Sequence, residues 1–146
     1  MAIDDVKIYE PSPNEIQVNS ILSQINGCGL NAADSIVVLL ENKGSAPINL
    51  LNVGYSVNGV AITPEIISQK IAPGNSLTYT FNTTANLSGV GVQKIKAYAT
   101  LVGDPNSFND TTSLSVTAEN VISAPFTETF DAINDNQTGM LTNGWN

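Results

Sequence analysis

The stretch that most restricts the fold is residues 35–42, with the sequence SIVVLLEN. In an extended strand alternate side chains point to opposite faces, and between Ile36 and Leu40 apolar side chains occupy both faces. A short segment that is apolar on both faces is typical of a strand covered by other elements. We therefore expect this strand to lie in the middle of a β-structure, with the other strands arranged around it.

Four later segments alternate apolar and polar residues, which indicates strands with one buried and one solvated face. They are residues 48–58, 76–83, 93–102 and 111–118. Asn58-Gly59 is a hairpin signal, because both central positions of a type I′ turn need positive φ. The return segment, residues 60–67, contains Pro64, which cannot donate to a ladder and so predicts an edge position.

An earlier strand is predicted over residues 15–25, where the apolar phase shifts by one near Ile21-Leu22 and indicates either a bulge or a strand that changes sheets. In the crossing segment, residues 84–92, Leu87 and Val90 are expected to close one end of the core. About seven strands at this spacing, without a stretch of helical period, predict an Ig-like antiparallel β-sandwich.

Charge and composition exclude several classes of function. The 146-residue chain has a net charge of −8, with 13 acidic residues against five lysines and neither arginine nor histidine. Nucleic-acid binding needs clustered basic residues, so we expect no nucleic-acid partner. No apolar run reaches the ~18 residues of a membrane span, and no signal peptide opens the sequence, so membrane insertion is not expected.

Catalysis is not expected either. Without histidine, the serines and the single cysteine, Cys28, lack the usual general base. Cys28 can form no internal disulfide and is expected to be a small buried residue. Asp4 and Asp5 are neighbours on a strand and face opposite ways, so they cannot act as an acid–base pair.

One loop collects oxygen ligands of the kind that calcium prefers. Asp104, Asn106, Asn109 and Asp110 lie within seven residues, although the spacing does not match an EF-hand. The alternative is turn chemistry, in which such side chains accept hydrogen bonds from nearby backbone amides. Asp104, Asn106 and Asp110 are the candidate metal ligands, and calcium is the single cofactor considered.

Tyr98 and Lys96 are the candidate ligand-binding residues. Both belong to the outward face of the strand predicted over residues 93–102, where an aromatic ring can stack on a sugar. The alternatives are that Tyr98 is an ordinary exposed residue and that Lys94 and Lys96 discourage edge pairing with another chain. Tyr55 and Tyr79 are in phase with apolar residues and are expected to be buried.

Taken as a set, several motifs resemble the Ig-like module of CARDB type that occurs in multidomain bacterial surface proteins, especially from Bacteroidetes. They lie at residues 26–30 (NGCGL), 35–44 (SIVVLLENKG), 54–59 (GYSVNG), 71–81 (IAPGNSLTYTF), 85–88 (ANLS) and 103–106 (GDPN), with Asn109-Asp110. The resemblance covers residues 16–118 and implies a sandwich without catalytic activity.

The flanks resemble fragments of another fold. Residues 2–8 (AIDDVKI) look like the closing strand of a jelly-roll domain of the MAM or cleaved-adhesin kind, and residues 126–131 (FTETFD) with Gly144-Trp145 look like the opening of another. The alternative is two polar termini. The expected organisation is a tail and linker over residues 1–15, the sandwich over 16–118, and a linker with the start of a further domain over 119–146.

These inferences predict a non-catalytic spacer, interaction or adhesion module of a secreted or cell-surface protein. Its expected partners are neighbouring domains of the same polypeptide, and a polysaccharide or another surface protein. Two other functions stay open: a carbohydrate-binding module, which needs an exposed aromatic patch, and a calcium-stabilised adhesin repeat, which needs the loop 104–110 to close around an ion.

Overall fold

The computed structural model describes residues 10–23, 26–27 and 29–119. The expectations for Cys28, for the first strand within residues 1–9 and for the segment after residue 119 therefore lie outside the described residues. Over the described part, no helix is long and apolar enough to cross a bilayer.

Nine strands occur in the described residues, and they form two sheets. The strands are β1 (Ile16–Ile21), β2 (Asn26–Gly27), β3 (Val37–Asn42), β4 (Leu51–Val57), β5 (Val60–Ala61), β6 (Glu65–Ile67), β7 (Ser76–Thr80), β8 (Gly91–Thr100) and β9 (Thr111–Ala118).

The smaller sheet has the order β1-β3-β7, and the larger sheet has the order β2-β9-β8-β4-β5, with β6 also pairing with β4. All pairings are antiparallel except the short one between β2 and β9. The predicted all-β sandwich of Ig-like type is confirmed.

The strand expected at the centre is the middle strand of the smaller sheet. Val38 and Leu40 of β3 are buried in the core, while Val37 and Leu39 on the other face are half-buried. The second face of β3 is therefore also partly removed from water, which explains why both faces carry apolar side chains. The bulge predicted near Ile21 lies earlier in the strand, where the pairing of β1 with β3 shifts between Val18 and Ser20.

The core lies between the sheets and is filled mainly by aliphatic side chains. Fully buried residues include Ile16, Leu40, Leu51, Tyr55, Leu87 and Ile95. Each large aliphatic side chain contributes about 1.5–3 kcal/mol through its removal from water. Alanines at 97 and 99 on β8 leave room for the Tyr55 ring, which meets Phe81 edge-to-face at a centroid distance of 4.8 Å.

The hairpin after β4 has the predicted turn, since Asn58 and Gly59 have φ values of 50° and 84°. The return segment is interrupted around Pro64, so that β5 and β6 pair separately with β4 at the edge of the larger sheet.

Of the two residues expected to close the core, Leu87 is buried but Val90 is 69% exposed. Val90 precedes Gly91, which has a φ of 101° at the start of β8, and this turn leaves the Val90 side chain in solvent.

Candidate functional site

The loop between β8 and β9, residues 103–110, is called the acidic loop here. It starts with Gly103 at a φ of 82°, and the Asp104 N–H donates to the Leu101 carbonyl at 3.2 Å. Asp104 Oδ1 accepts a hydrogen bond from the Asn106 N–H at 2.8 Å. Through Oδ1, Asp104 therefore has the turn-forming role that was the alternative to metal binding.

The acidic loop is bound to the first strand of the sandwich. Asp104 Oδ2 accepts from the Ile16 N–H at 2.7 Å, and the Val18 N–H donates to the Asn109 carbonyl at 2.9 Å. The Asn109 and Asn106 side-chain amides donate to Glu15 Oε1 at 2.8 and 3.3 Å. The loop therefore holds the N-terminal end of β1 against the start of β9.

Three carboxylates, those of Glu15, Asp104 and Asp110, come together at this loop. Burial, followed by the negative charges of Asp104 and Glu15, raises the pKa of Asp110 to about 6. Asp110 Oδ1 and Asn109 Oδ1 are buried and accept no hydrogen bond. In the part of the chain that the structure describes, no lysine lies within ion-pair distance of these three carboxylates.

The carboxylates do not form a ready-made metal site. Among the described residues, no group of three or more Asp, Glu, Cys or His side chains is arranged to hold a metal ion. Asn106, one of the three candidate ligands, instead lines a smaller cavity of about 340 Å³ together with Glu15 and Lys43.

Asp104 and Asp110 line a groove of about 640 Å³ on the outer face of the larger sheet, called the outer groove here. The same groove contains Tyr98 and Lys96, the two candidate ligand-binding residues. The structure thus brings together two sets of residues that the sequence presented as separate sites. Hydroxyl-bearing residues complete the polar lining: Ser56, Thr100, Ser107 and Thr111.

Tyr98 lies across the neighbouring strand because Gly54 leaves room for it. Gly54 is the residue directly opposite Tyr98 in the pairing of β4 with β8. A Cβ at position 54 would collide with the Tyr98 ring, with Cε2 only 2.9 Å away and with Cζ and Oη closer still. A glycine inside a strand often marks such a close approach. The half-buried Tyr98 ring therefore rests on the sheet at the groove instead of standing out into solvent.

A second carboxylate cluster, around Glu65 of β6, was not anticipated from the sequence. The Tyr79 hydroxyl donates to Glu65 Oε2 at 2.6 Å, and the Thr83 N–H donates to Oε1 at 3.0 Å. The Asn82 backbone and side-chain N–H groups also donate to Oε2, at 3.1 and 2.8 Å. Burial raises the pKa of Glu65, but these hydrogen bonds, led by the one from Tyr79, lower it by more.

Glu15, Gly54 and Glu65 are the residues that sequence reasoning missed. Glu15 is separated from Asn109 by 94 positions, and Gly54 from Tyr98 by 44. No local pattern connects positions this far apart. The single available signal was the glycine inside the alternating segment 48–58, which indicates a close approach without naming the partner.

No protein-family model matches this chain, and no curated protein matches its sequence. Solved structures do match its fold. A domain of a Methanosarcina acetivorans protein, provisionally named a cell surface protein, has 16% identity and a TM-score of 0.58, with 72% of this chain and 91% of that domain covered.

The CARDB domain of a Pyrococcus furiosus protein, solved as a crystal structure in complex with di-metal ions, has 18% identity and a TM-score of 0.56, with 81% of this chain and 99% of that domain covered. A solution structure of the same domain has 18% identity and a TM-score of 0.51, with 76% and 98% covered. The fold is therefore that of CARDB domains.

Proposed function

We propose that this chain is a non-catalytic spacer and interaction module of a secreted or cell-surface protein. The observation that carries the proposal is that the chain enters and leaves the sandwich at opposite ends. Ile16 is held by the acidic loop, which directly precedes the first residue of β9, whereas Ala118 ends β9 beside Gly91. Eight strand residues separate these two ends by about 24 Å.

The incoming segment, residues 12–15, is fastened to the sandwich. Backbone N–H groups of four consecutive residues, 43–46, donate to carbonyls of this segment at 2.9–3.2 Å. Gly44 permits this contact, because a Cβ there would collide with the Pro13 carbonyl oxygen and approach the Glu15 nitrogen at 2.9 Å. A segment held in this way would fix the orientation of a preceding domain relative to the sandwich.

The outgoing strand is equally well held. β9 pairs with β8 over its whole length, from Thr111 opposite Tyr98 to Ala118 opposite Gly91. Ala118 also pairs with Gly27 of β2. The strand that leads out of the sandwich is therefore paired along its whole length on one side, and at Thr117 and Ala118 on both sides. Such a held exit suits a module that keeps its neighbours apart.

The proposed context is a multidomain surface protein of the Bacteroidetes type, with jelly-roll domains as the neighbouring partners. The likeness to CARDB domains and to a domain of a provisionally named cell surface protein supports a surface location. The absence of histidine and arginine from the sequence supports a role without catalysis.

A distance measurement tests the spacer proposal. Spin labels on cysteines introduced at Glu10 and Val90, in a Cys28→Ser background, are expected to give one narrow distance distribution centred above about 20 Å. Gly44→Ala is expected to broaden the distribution, because its Cβ displaces Pro13. Ser76→Ala, at an exposed position of β7 outside this contact, is the control and should leave it unchanged. A broad distribution in the parent, or a centre below about 15 Å, would contradict the proposal.

A calcium-stabilised module is a second candidate function, favoured by the two buried oxygens without partners, Asn109 Oδ1 and Asp110 Oδ1. A divalent cation there would relieve the repulsion among Asp110, Asp104 and Glu15. The di-metal complex of the Pyrococcus furiosus CARDB domain supports this candidate. Small movements of the acidic loop would be needed to bring the ligands together.

For this candidate, we predict that excess calcium raises the thermal midpoint by several degrees over the value in EDTA, since a ligand of the native state stabilises it by mass action. Asp110→Asn should abolish the rise. Asp34→Asn removes an acid outside the cluster and should retain it. An equal midpoint with calcium and with EDTA would exclude a calcium-stabilised module.

A further inference from the structure

We infer that the outer groove is a binding site for a neutral polysaccharide, with Tyr98 as the platform on which one sugar ring stacks. This goes beyond the spacer proposal and does not depend on it.

The Tyr98 ring occupies the space that a side chain at position 54 would take. It lies over Gly54 on one side, and β9 flanks it on the other, with Thr111 directly opposite Tyr98 in the pairing. An aromatic ring that already packs against a sheet can offer its exposed surface to a ligand at a reduced entropic cost. The apolar C–H face of a pyranose ring matches such a surface.

The polar groups around Tyr98 include both donors and acceptors, as the hydroxyl groups of a sugar ring require. Asp104 and Asp110 supply acceptors, Lys96 supplies donors, and Ser56 and Ser107 act as either. Hydroxyl groups of a sugar both donate and accept, so they can satisfy this mixed set, and hydrogen bonds to ionised groups are the stronger ones.

The size and charge of the site favour a neutral ligand. A groove of about 640 Å³ lies within the range of roughly 300–1,000 Å³ that is usual for small-ligand sites. Two carboxylates against one lysine line the groove, and the whole chain carries a net charge of −8. An anionic polymer would be repelled by both.

Affinity electrophoresis tests the inference with three neutral probes, hydroxyethyl cellulose, galactomannan and dextran, and with alginate as the anionic contrast. No calcium is added, so the result is independent of the calcium candidate. At least one neutral polysaccharide is expected to retard the parent protein. Tyr98→Ala and Gly54→Ala are each expected to weaken that retardation at least about tenfold.

Three further variants separate binding from folding. Tyr98→Phe retains the ring and should bind within about threefold of the parent. Lys96→Ala removes a groove donor and should weaken binding, whereas Lys94→Ala, an exposed lysine on the same strand that does not line the groove, should leave it unchanged. Circular dichroism checks that each variant is folded.

Two results would overturn the inference. One is that none of the three neutral polysaccharides retards the parent protein, whatever alginate does. The other is that Tyr98→Ala, shown to be folded, is retarded as strongly as the parent. Neither result would affect the spacer proposal, which the spin-label distance between positions 10 and 90 tests independently.

Discussion

Two carboxylate clusters anchor loops to this sandwich, and they are built in opposite ways. Glu65 is surrounded by donors, with four hydrogen bonds from Tyr79, Asn82 and Thr83. Asp110 lies close to the negative charges of Asp104 and Glu15, and its Oδ1 accepts no hydrogen bond. Correspondingly, the pKa of Glu65 lies below its ordinary value and that of Asp110 lies above it.

The difference separates a carboxylate whose hydrogen bonds the protein supplies in full from one whose hydrogen bonds it leaves incomplete. At Glu65 the protein already supplies every hydrogen bond that a carboxylate needs, and in turn raises the pKa of Tyr79 to about 12, mainly through burial and this hydrogen bond. At Asp110, which lines the outer groove, the protein buries one carboxylate oxygen without giving it a donor. Proteins satisfy most buried polar groups, so an exception deserves a functional explanation.

The largest effect is expected from Glu65→Ala, which leaves the Tyr79 hydroxyl and two backbone N–H groups without their acceptor. We expect a loss of about 2–3 kcal/mol in the free energy of unfolding, measured by urea denaturation. Glu41→Ala is the control, since Glu41 makes two contacts near the surface, an ion pair with Lys43 and a long hydrogen bond from the Asn19 amide at 3.5 Å, and should cost under about 1 kcal/mol. Equal losses in both variants would mean that the Glu65 cluster has no special structural role.

A smaller loss is expected from Asp104→Ala, within the other cluster. This variant removes the acceptor of the Ile16 and Asn106 N–H groups and should lower the free energy of unfolding by about 1–2 kcal/mol. The loss should be accompanied by faster amide exchange at Ile16, measured by hydrogen exchange NMR. Unchanged exchange at Ile16 would show that the hydrogen bond from its N–H does not hold the loop.

The smallest effect is a pH dependence of the free energy of unfolding, and it has opposite signs at the two clusters. The contribution of Glu65 is present above its unfolded pKa near 4.5 and is lost as the pH falls through the lower folded pKa. The contribution of Asp110 is present below its unfolded pKa of 3.8 and is lost as the pH rises through about 6.

Asp110→Asn is therefore expected to gain stability over the parent between pH 4.5 and pH 7.5. We expect the difference in unfolding free energy between variant and parent to rise by about 1 kcal/mol across this range, a value discounted for the partial exposure of Asp110. Urea denaturation at the two pH values measures it. A difference that stays constant, or falls, would contradict the raised pKa of Asp110.

Local patterns were sufficient for most of the strands. The alternation of residues 111–118 predicts β9 with its observed bounds, Thr111–Ala118, and the Asn58-Gly59 pair predicts the turn that is found. Both signals involve residues within a few positions of each other, where side-chain period and backbone sterics act directly. The same rules misplaced the bulge of β1 and predicted Val90 to be buried, although it is exposed. Both features depend on contacts with another segment of the chain.

The composition of the candidate site was decided by tertiary structure. From the sequence, Asp104 and Asp110 belonged to one hypothesis and Tyr98 with Lys96 to another, whereas the tertiary structure places all four on a single groove. It also places Gly54 opposite Tyr98 and brings the charge of Glu15 close to Asp110. The sequence by itself determined which residues are extended and which faces are apolar, because these follow from neighbours along the chain. Which carboxylates meet, and which of them lacks a donor, depends on the register between strands, since a shift of one residue moves every side chain to the other face.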